Sequence, residues 1–247
     1  MAHSPLAQFT IKPLMPLEIA GYDVAFTQSA AWMLVAVVCA TLLMTLSVRS
    51  KAMVPGRWQN VSEMLYELVF GIVKGNLHGE AKKYFPLIFS LFMIVLMGNL
   101  LGMIPYSFTF TSHIIVTATL ALFVFIFATG LGIYKHGLHF FSFFLPAGIP
   151  WWLAPFIVII EVISYLSRPL SLSVRLFANM TAGHTMLKVF AGFSVMLIAV
   201  TFGAVLSILP LIINVALVGL ELMIAFIQAY VFAVLSCMYL KDAIELH

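Results

Sequence analysis

A chain of 247 residues that is 63% hydrophobic and only 9% charged cannot clothe a water-facing surface, because soluble domains carry roughly 25% charged residues. Its mean hydropathy of +1.12 makes the bilayer its solvent. At about 20 apolar residues per crossing there is room for five or six spans and little for an aqueous domain. The formal charge is +3, and the two cysteines, Cys39 and Cys237, lie inside apolar runs. There they read as small hydrophobes, not as a disulfide or a metal site.

In chain order, residues 1–26 form a tail with Lys12, Glu18, Asp23 and the prolines Pro5, Pro13 and Pro16. Nothing in it resembles a signal peptide, so insertion is expected to rely on the spans themselves. The first span is Thr27–Val48. In the polar loop that follows, Trp58, Val61, Leu65, Leu68, Val69 and Ile72 recur at helical spacing, and Asn60 with Glu63 three residues on suggests a capping-box start. Glu63, Glu67 and Lys74 keep this segment from crossing, so it reads as an interfacial amphipathic helix. Two further uncharged spans are Tyr84–Ile104 and Ile114–Tyr134.

Beyond Trp152 the chain is apolar almost to its end and predicts two long helices, 152–202 and 208–240, joined by a turn near Gly203. Pro210 suits the first turn of the second. The first is on the order of 75 Å long, so it must tilt steeply, break near Pro169 or leave the membrane. The expected fold is an all-α polytopic membrane protein with about five crossings. It forms a single membrane domain over residues 1–247: tail 1–26, first span and inner loop 27–83, helical hairpin and loop 84–151, and the long helix pair 152–247.

Loop charge sets the orientation. The segment 49–83 carries Arg49, Lys51, Arg57, Lys74, Lys82 and Lys83; 135–151 carries Lys135, and the C-terminus Lys241. Residues 105–113 have neither Lys nor Arg, and the tail has only Lys12. With five crossings, the positive-inside rule places the N-terminus outside and the C-terminus in the cytoplasm or matrix. Six crossings would put Arg168, Arg175, Lys188 and Lys241 outside, a worse fit.

The chemistry is concentrated between Glu161 and Gln228. A charge at the bilayer centre costs from ~2.5 to above 10 kcal/mol, so such residues face a bundle interior or a water-filled route. Arg175 is mid-helix with apolar sequence far to both sides. Arg168, beside Pro169, and Lys188 are secondary candidates, because such cations can also snorkel to headgroups. Glu161, Arg168 and Arg175 are spaced by seven and share one face, and Asn179 is one turn beyond Arg175. His184, nine residues beyond Arg175, lies on the opposite flank and roughly 13 Å along the axis.

On the last helix, Glu221 and Gln228 are also seven apart. In an antiparallel pair, residues at equal depth have nearly constant sums of residue numbers. One register therefore brings His184 beside Glu221 and Arg175 beside Gln228. With the inside toward Glu161 and the outside toward the His184–Glu221 pair, Arg175 separates two polar approaches, and no continuous pore results.

The run from Ser167 to His184, Ser-Arg-Pro-Leu-Ser-Leu-Ser-Val-Arg-Leu-Phe-Ala-Asn-Met-Thr-Ala-Gly-His, resembles the signature of the a subunit of F-type ATP synthases. Gly98-Asn99-Leu100-Leu101-Gly102-Met103-Ile104-Pro105 and the Glu221 to Gln228-Ala229-Tyr230 segment carry the same resemblance, which extends from the first span onward. It implies proton translocation through two offset half-channels to and from a rotating ring of small two-helix c subunits, each with a carboxylate. Arg175 matches the stator arginine; Asn179, His184, Glu221 and Gln228 match the outer path, and Glu161 the inner. Many bacterial members carry an acid at the His184 position and a His at the Glu221 position. The arrangement here is similar to the mitochondrial and related bacterial form.

The implied partners are that ring, other membrane-sector and peripheral-stalk subunits, the catalytic sector indirectly, and the lipid bilayer. The implied location is an energy-transducing membrane, bacterial inner or mitochondrial. No phosphate-binding G-x-x-x-x-G-K-[ST] loop occurs, so nucleotide chemistry falls to a partner and the chain is not expected to be catalytic by itself. No cofactor, metal or nucleic-acid partner is expected. The alternative is a secondary transporter with its own midplane substrate site, against which stands the absence of an internal repeat. An intramembrane hydrolase would need H-E-x-x-H or a Ser paired with His184, and neither is evident.

Overall fold

A computed structural model describes residues 9–15, 18–19, 22–23, 25–48, 56–104, 107–137, 139–140, 152–198 and 207–245. The expected turn at Gly203, as well as Arg49, Lys51 and Pro105, lies outside these. Among the described residues, five stretches of helix are long and apolar enough to cross a membrane, and the architecture is that of an all-α polytopic membrane protein. The tail adds two short antiparallel ladders that the sequence did not suggest. They pair β1 (Pro13–Met15) with β4 (Phe26–Thr27), and β2 (Glu18–Ile19) with β3 (Tyr22–Asp23).

Helix α1 (Gln28–Ser47) starts where Thr27 caps it by accepting from the amide of Ala30 at 3.4 Å. Helix α2 (Arg57–Leu77) begins after Gly56, so Asn60 sits in its first turn and the expected capping box does not form. Gln59 occupies Glu63 by donating to its carboxylate at 2.8 Å. After a 3-10 turn, His78–Glu80, come α3 (Ala81–Gly102) and α4 (Ile114–His136). Gly137, at φ +57, follows α4 in the left-handed conformation that ends helices.

The expected 152–202 and 208–240 helices are α5 (Ala154–Ile198) and α6 (Ile208–Ile244), with Pro210 in the first turn of α6. At 45 residues α5 is about 67 Å long. It runs through Pro169 unbroken, which removes a break there from the ways such a length can be accommodated.

Contacts cluster into two compact units. The first comprises the described residues of Met1–Arg49, Met93–His113 and Leu176–Ala229; the second those of Ser50–Phe92, Ile114–Arg175 and Tyr230–His247.

The first unit holds polar groups among apolar ones. Asn99, fully buried, donates from Nδ2 to the Ala225 carbonyl at 3.2 Å and ties α3 to α6. Gly98 faces the ring of Phe110 so closely that no side chain would fit between them. This lets the 3-10 turn Phe110–Ser112 lie against α3, and Thr181 on α5 donates to the Ser112 carbonyl at 3.3 Å.

The second unit is pinned by aromatics and ion pairs. Tyr66 and Phe70 of α2 meet Phe85 of α3, with centroid distances of 4.7 and 5.6 Å. Lys135 pairs with Glu80. Arg168 bonds Asp242 at 2.6 Å and is flanked by the rings of Tyr165 and Tyr239 at 5.4 and 5.8 Å. Tyr239 also donates to the Arg168 carbonyl at 3.3 Å, and Tyr165 shares a 2.6 Å hydrogen bond with Thr129.

Candidate functional site

Within the first unit, α5 and α6 run antiparallel, as two polar pairs show. Nδ1 of His184 approaches Oε1 of Glu221 to 3.3 Å, and one and a half turns away Asn179 donates from Nδ2 to Oε1 of Gln228 at 3.1 Å. Glu221 and Gln228 are each only 2% exposed. The expected meeting of His184 with Glu221 is therefore found. At the second pair Gln228 accepts from Asn179, one turn beyond Arg175. Both pairs fit a single antiparallel register.

Two features shape the His184–Glu221 pair. The first is Gly183: a Cβ built there would stand 2.7 Å from Oε1 and 3.0 Å from Cδ of Glu221. Only a residue without a side chain lets the carboxyl lie against the α5 backbone. The second is Thr109, in the connection between α3 and α4, whose Oγ1 is 2.9 Å from Nε2 of His184. His184 is thus held at both ring nitrogens, while both carboxyl oxygens of Glu221 lack a hydrogen bond to any described residue. The 3.3 Å approach is an electrostatic contact not aligned as a hydrogen bond.

Within the second unit the cations divide. Arg168 is engaged as described above. Arg175 is exposed, and its side chain has no hydrogen bond or ion pair to a described residue. Glu161 is half-buried and Lys188, on the first unit's part of α5, is exposed; neither is drawn into the pairs above.

A family model described as ATP synthase A chain matches residues 29–241. The chain belongs to that family. It is 51% identical over 245 residues to the ATP synthase subunit a of Rhodospirillum rubrum, covering 99% of this chain and all of the relative. It is 53% identical over 244 residues to that of Parvibaculum lavamentivorans, covering 98% and 93%, and 53% identical over 246 residues to that of a Chelativorans species, covering 99% of each. As a member of this family the chain is an integral membrane protein of the ATP synthase, in agreement with its five apolar helices.

Two polar residues beside the site escaped the sequence reading. Asn214 is seven residues before Glu221 on α6, and its Oδ1 is buried without a hydrogen bond to a described residue. The same heptad spacing that marks Glu221 and Gln228 could have found it. Thr109 carries no such signal, because it lies 75 residues from His184 in an irregular connection.

Proposed function

We propose that this chain passes protons to and from a rotating ring of carboxylate-bearing subunits through two half-channels that do not meet, coupling proton motive force to ATP synthesis made elsewhere in the complex. A proton entering from the outer side passes the His184–Glu221 region, with Asn179 and Gln228 at its inner end, and neutralises a ring carboxylate that can then face lipid. After nearly a full turn that carboxylate is deprotonated on the inner side, toward Glu161. With five crossings the loop charges put the N-terminus outside and the C-terminus inside.

The observation that carries this reading is Arg175, an exposed guanidinium with no hydrogen bond or ion pair to a described residue, on an apolar helix. A cation left in hydrocarbon costs ~2.5 kcal/mol or much more, so a carboxylate from another chain is the natural counter-ion. Ser164, Ser171, Ala178 and Ala182 are exposed on the same face of α5. Side chains this small allow a partner helix to approach closely. In that position Arg175 favours the ionised form of a passing carboxylate. Its permanent charge keeps protons from hopping directly between the two paths.

The deciding experiment replaces Arg175 by alanine and measures ATP synthesis and passive proton flux in vesicles holding the assembled complex. Synthesis should stop and the membrane should become leaky to protons. Normal synthesis in Arg175→Ala would refute the mechanism; lost synthesis without a leak would keep the coupling role and remove the barrier role.

A further inference from the structure

Resting on the reading that His184 and Glu221 carry protons, we propose that Thr109 is a positioning residue that fixes which nitrogen of His184 holds its resident proton, leaving the other nitrogen to exchange a proton with Glu221.

The assignment follows from counting donors. Oγ1 of Thr109 contacts two groups, the Gly102 carbonyl at 3.1 Å and Nε2 of His184 at 2.9 Å. A carbonyl can only accept, and a hydroxyl has one proton, so that proton goes to Gly102. What Thr109 offers His184 is a lone pair. Nε2 must then be the donor and carry the ring proton. In the neutral ring this leaves Nδ1 as a bare acceptor, 3.3 Å from Oε1 of Glu221.

The consequence concerns the buried carboxyl. Glu221 is 2% exposed, and neither of its oxygens is hydrogen-bonded to a described residue. An ionised carboxylate beside a bare nitrogen would be two acceptors facing each other, so one proton belongs between them. Transfer breaks the O–H bond of the Glu221 carboxyl and forms an N–H bond at Nδ1, leaving a carboxylate beside an imidazolium. The reverse transfer restores the neutral pair. The proton on Nε2 is a spectator in both directions, and the bond to Thr109 persists throughout.

Had Thr109 donated to Nε2 instead, the ring proton would sit on Nδ1 and point at Glu221. Nδ1 could then take no proton from the Glu221 carboxyl. The threonine thus decides which edge of the imidazole is the working edge.

Thr109 is itself well anchored. Its carbonyl accepts from the amide of Ser112 at 3.2 Å, and a Cβ at Gly102 would stand 2.7 Å from its Oγ1. Ser107 also donates to the Gly102 carbonyl, at 2.9 Å. Thr109→Val therefore keeps the shape and leaves Gly102 satisfied, so that the acceptor for Nε2 is the principal loss.

The test uses the complete complex in membrane vesicles with ATP-driven proton pumping as readout and assembly measured in parallel. Thr109→Val should lower pumping on the order of tenfold, the usual consequence of removing one hydrogen bond to a charged group. Thr109→Ser, which keeps the hydroxyl, should restore most of it. Normal pumping in Thr109→Val, or equal loss in both variants, overturns the proposal.

His184→Ala is measured alongside: if it too pumps normally, the reading of the His184–Glu221 pair fails as well, and otherwise only the role of Thr109 does. A second readout needs no variant at position 109. In histidine-labelled complex, the 15N resonances of His184, assigned by their loss in His184→Gln, should show Nε2 protonated whenever the ring is neutral. A neutral ring protonated at Nδ1 overturns the proposal by itself.

Discussion

Gly183→Ala adds one methyl group to α5 at the point where Glu221 lies against it. The new carbon would stand 2.7 Å from Oε1, and ordinary contact begins at 3.4 Å, so the carboxyl must retreat by about 0.7 Å. Overpacking of this kind costs ~1–3 kcal/mol, while alanine in place of glycine in a helix returns up to ~1 kcal/mol. The net effect on stability is therefore small, no more than about 2 kcal/mol, and the complex should still assemble.

Function should respond more strongly than stability. Misplacing a reacting group by ~1 Å can cost on the order of a hundredfold in rate, so a retreat of this size should lower proton pumping roughly tenfold or more. The assay is ATP-driven acidification of inverted vesicles, normalised to the amount of assembled complex and accompanied by a thermal unfolding curve in detergent. Gly130→Ala is the control, because a Cβ at Gly130 meets nothing within 4 Å, so the same change of propensity on α4 should leave pumping intact. Full pumping by assembled Gly183→Ala would refute the argument that Glu221 must lie against a bare backbone.

Three further outcomes concern the two arginines of α5 and the His184–Glu221 pair. Arg168→Gln should leave most ATP-driven pumping in place while lowering thermal stability by about 1 kcal/mol or less, since its bond to Asp242 is partly solvent-exposed. Arg175→Gln should abolish pumping with assembly unchanged, and equal losses of pumping in both would mean that two arginines serve the ring. A double-mutant cycle on His184 and Glu221 should show strong coupling in pumping, because residues in contact are seldom additive. Strictly additive losses would place the two residues on separate routes.

The membrane class, the number of crossings and the ends of the spans were legible in the chain alone. Burial in lipid demands long uncharged runs, and such runs have no other explanation at this composition. The polar face of each long helix was legible for a similar reason. A helix repeats every 3.6 residues, so Arg168 and Arg175, or Glu221 and Gln228, share a side whatever they pack against. A break near Pro169 was one of three ways the length of this helix could be accommodated, and it does not occur. Neighbouring groups can satisfy the backbone that a proline frees within a membrane, and α5 continues through it.

What the helical period cannot supply is the partner across a gap. The charge of Arg168 was visible, but not that Asp242, 74 residues later, would neutralise it between two tyrosines. Gln228 was placed on one face with Glu221 by its spacing, but that its side-chain oxygen would accept from Asn179 across the gap was not visible. Thr109 had no period to betray it, lying in an irregular connection that Gly98 and Gly102 allow to fold against α3. Spacing along one helix is dictated by covalent geometry. Which side chain meets which is decided only when the helices pack and each buried polar atom takes the partner within its reach.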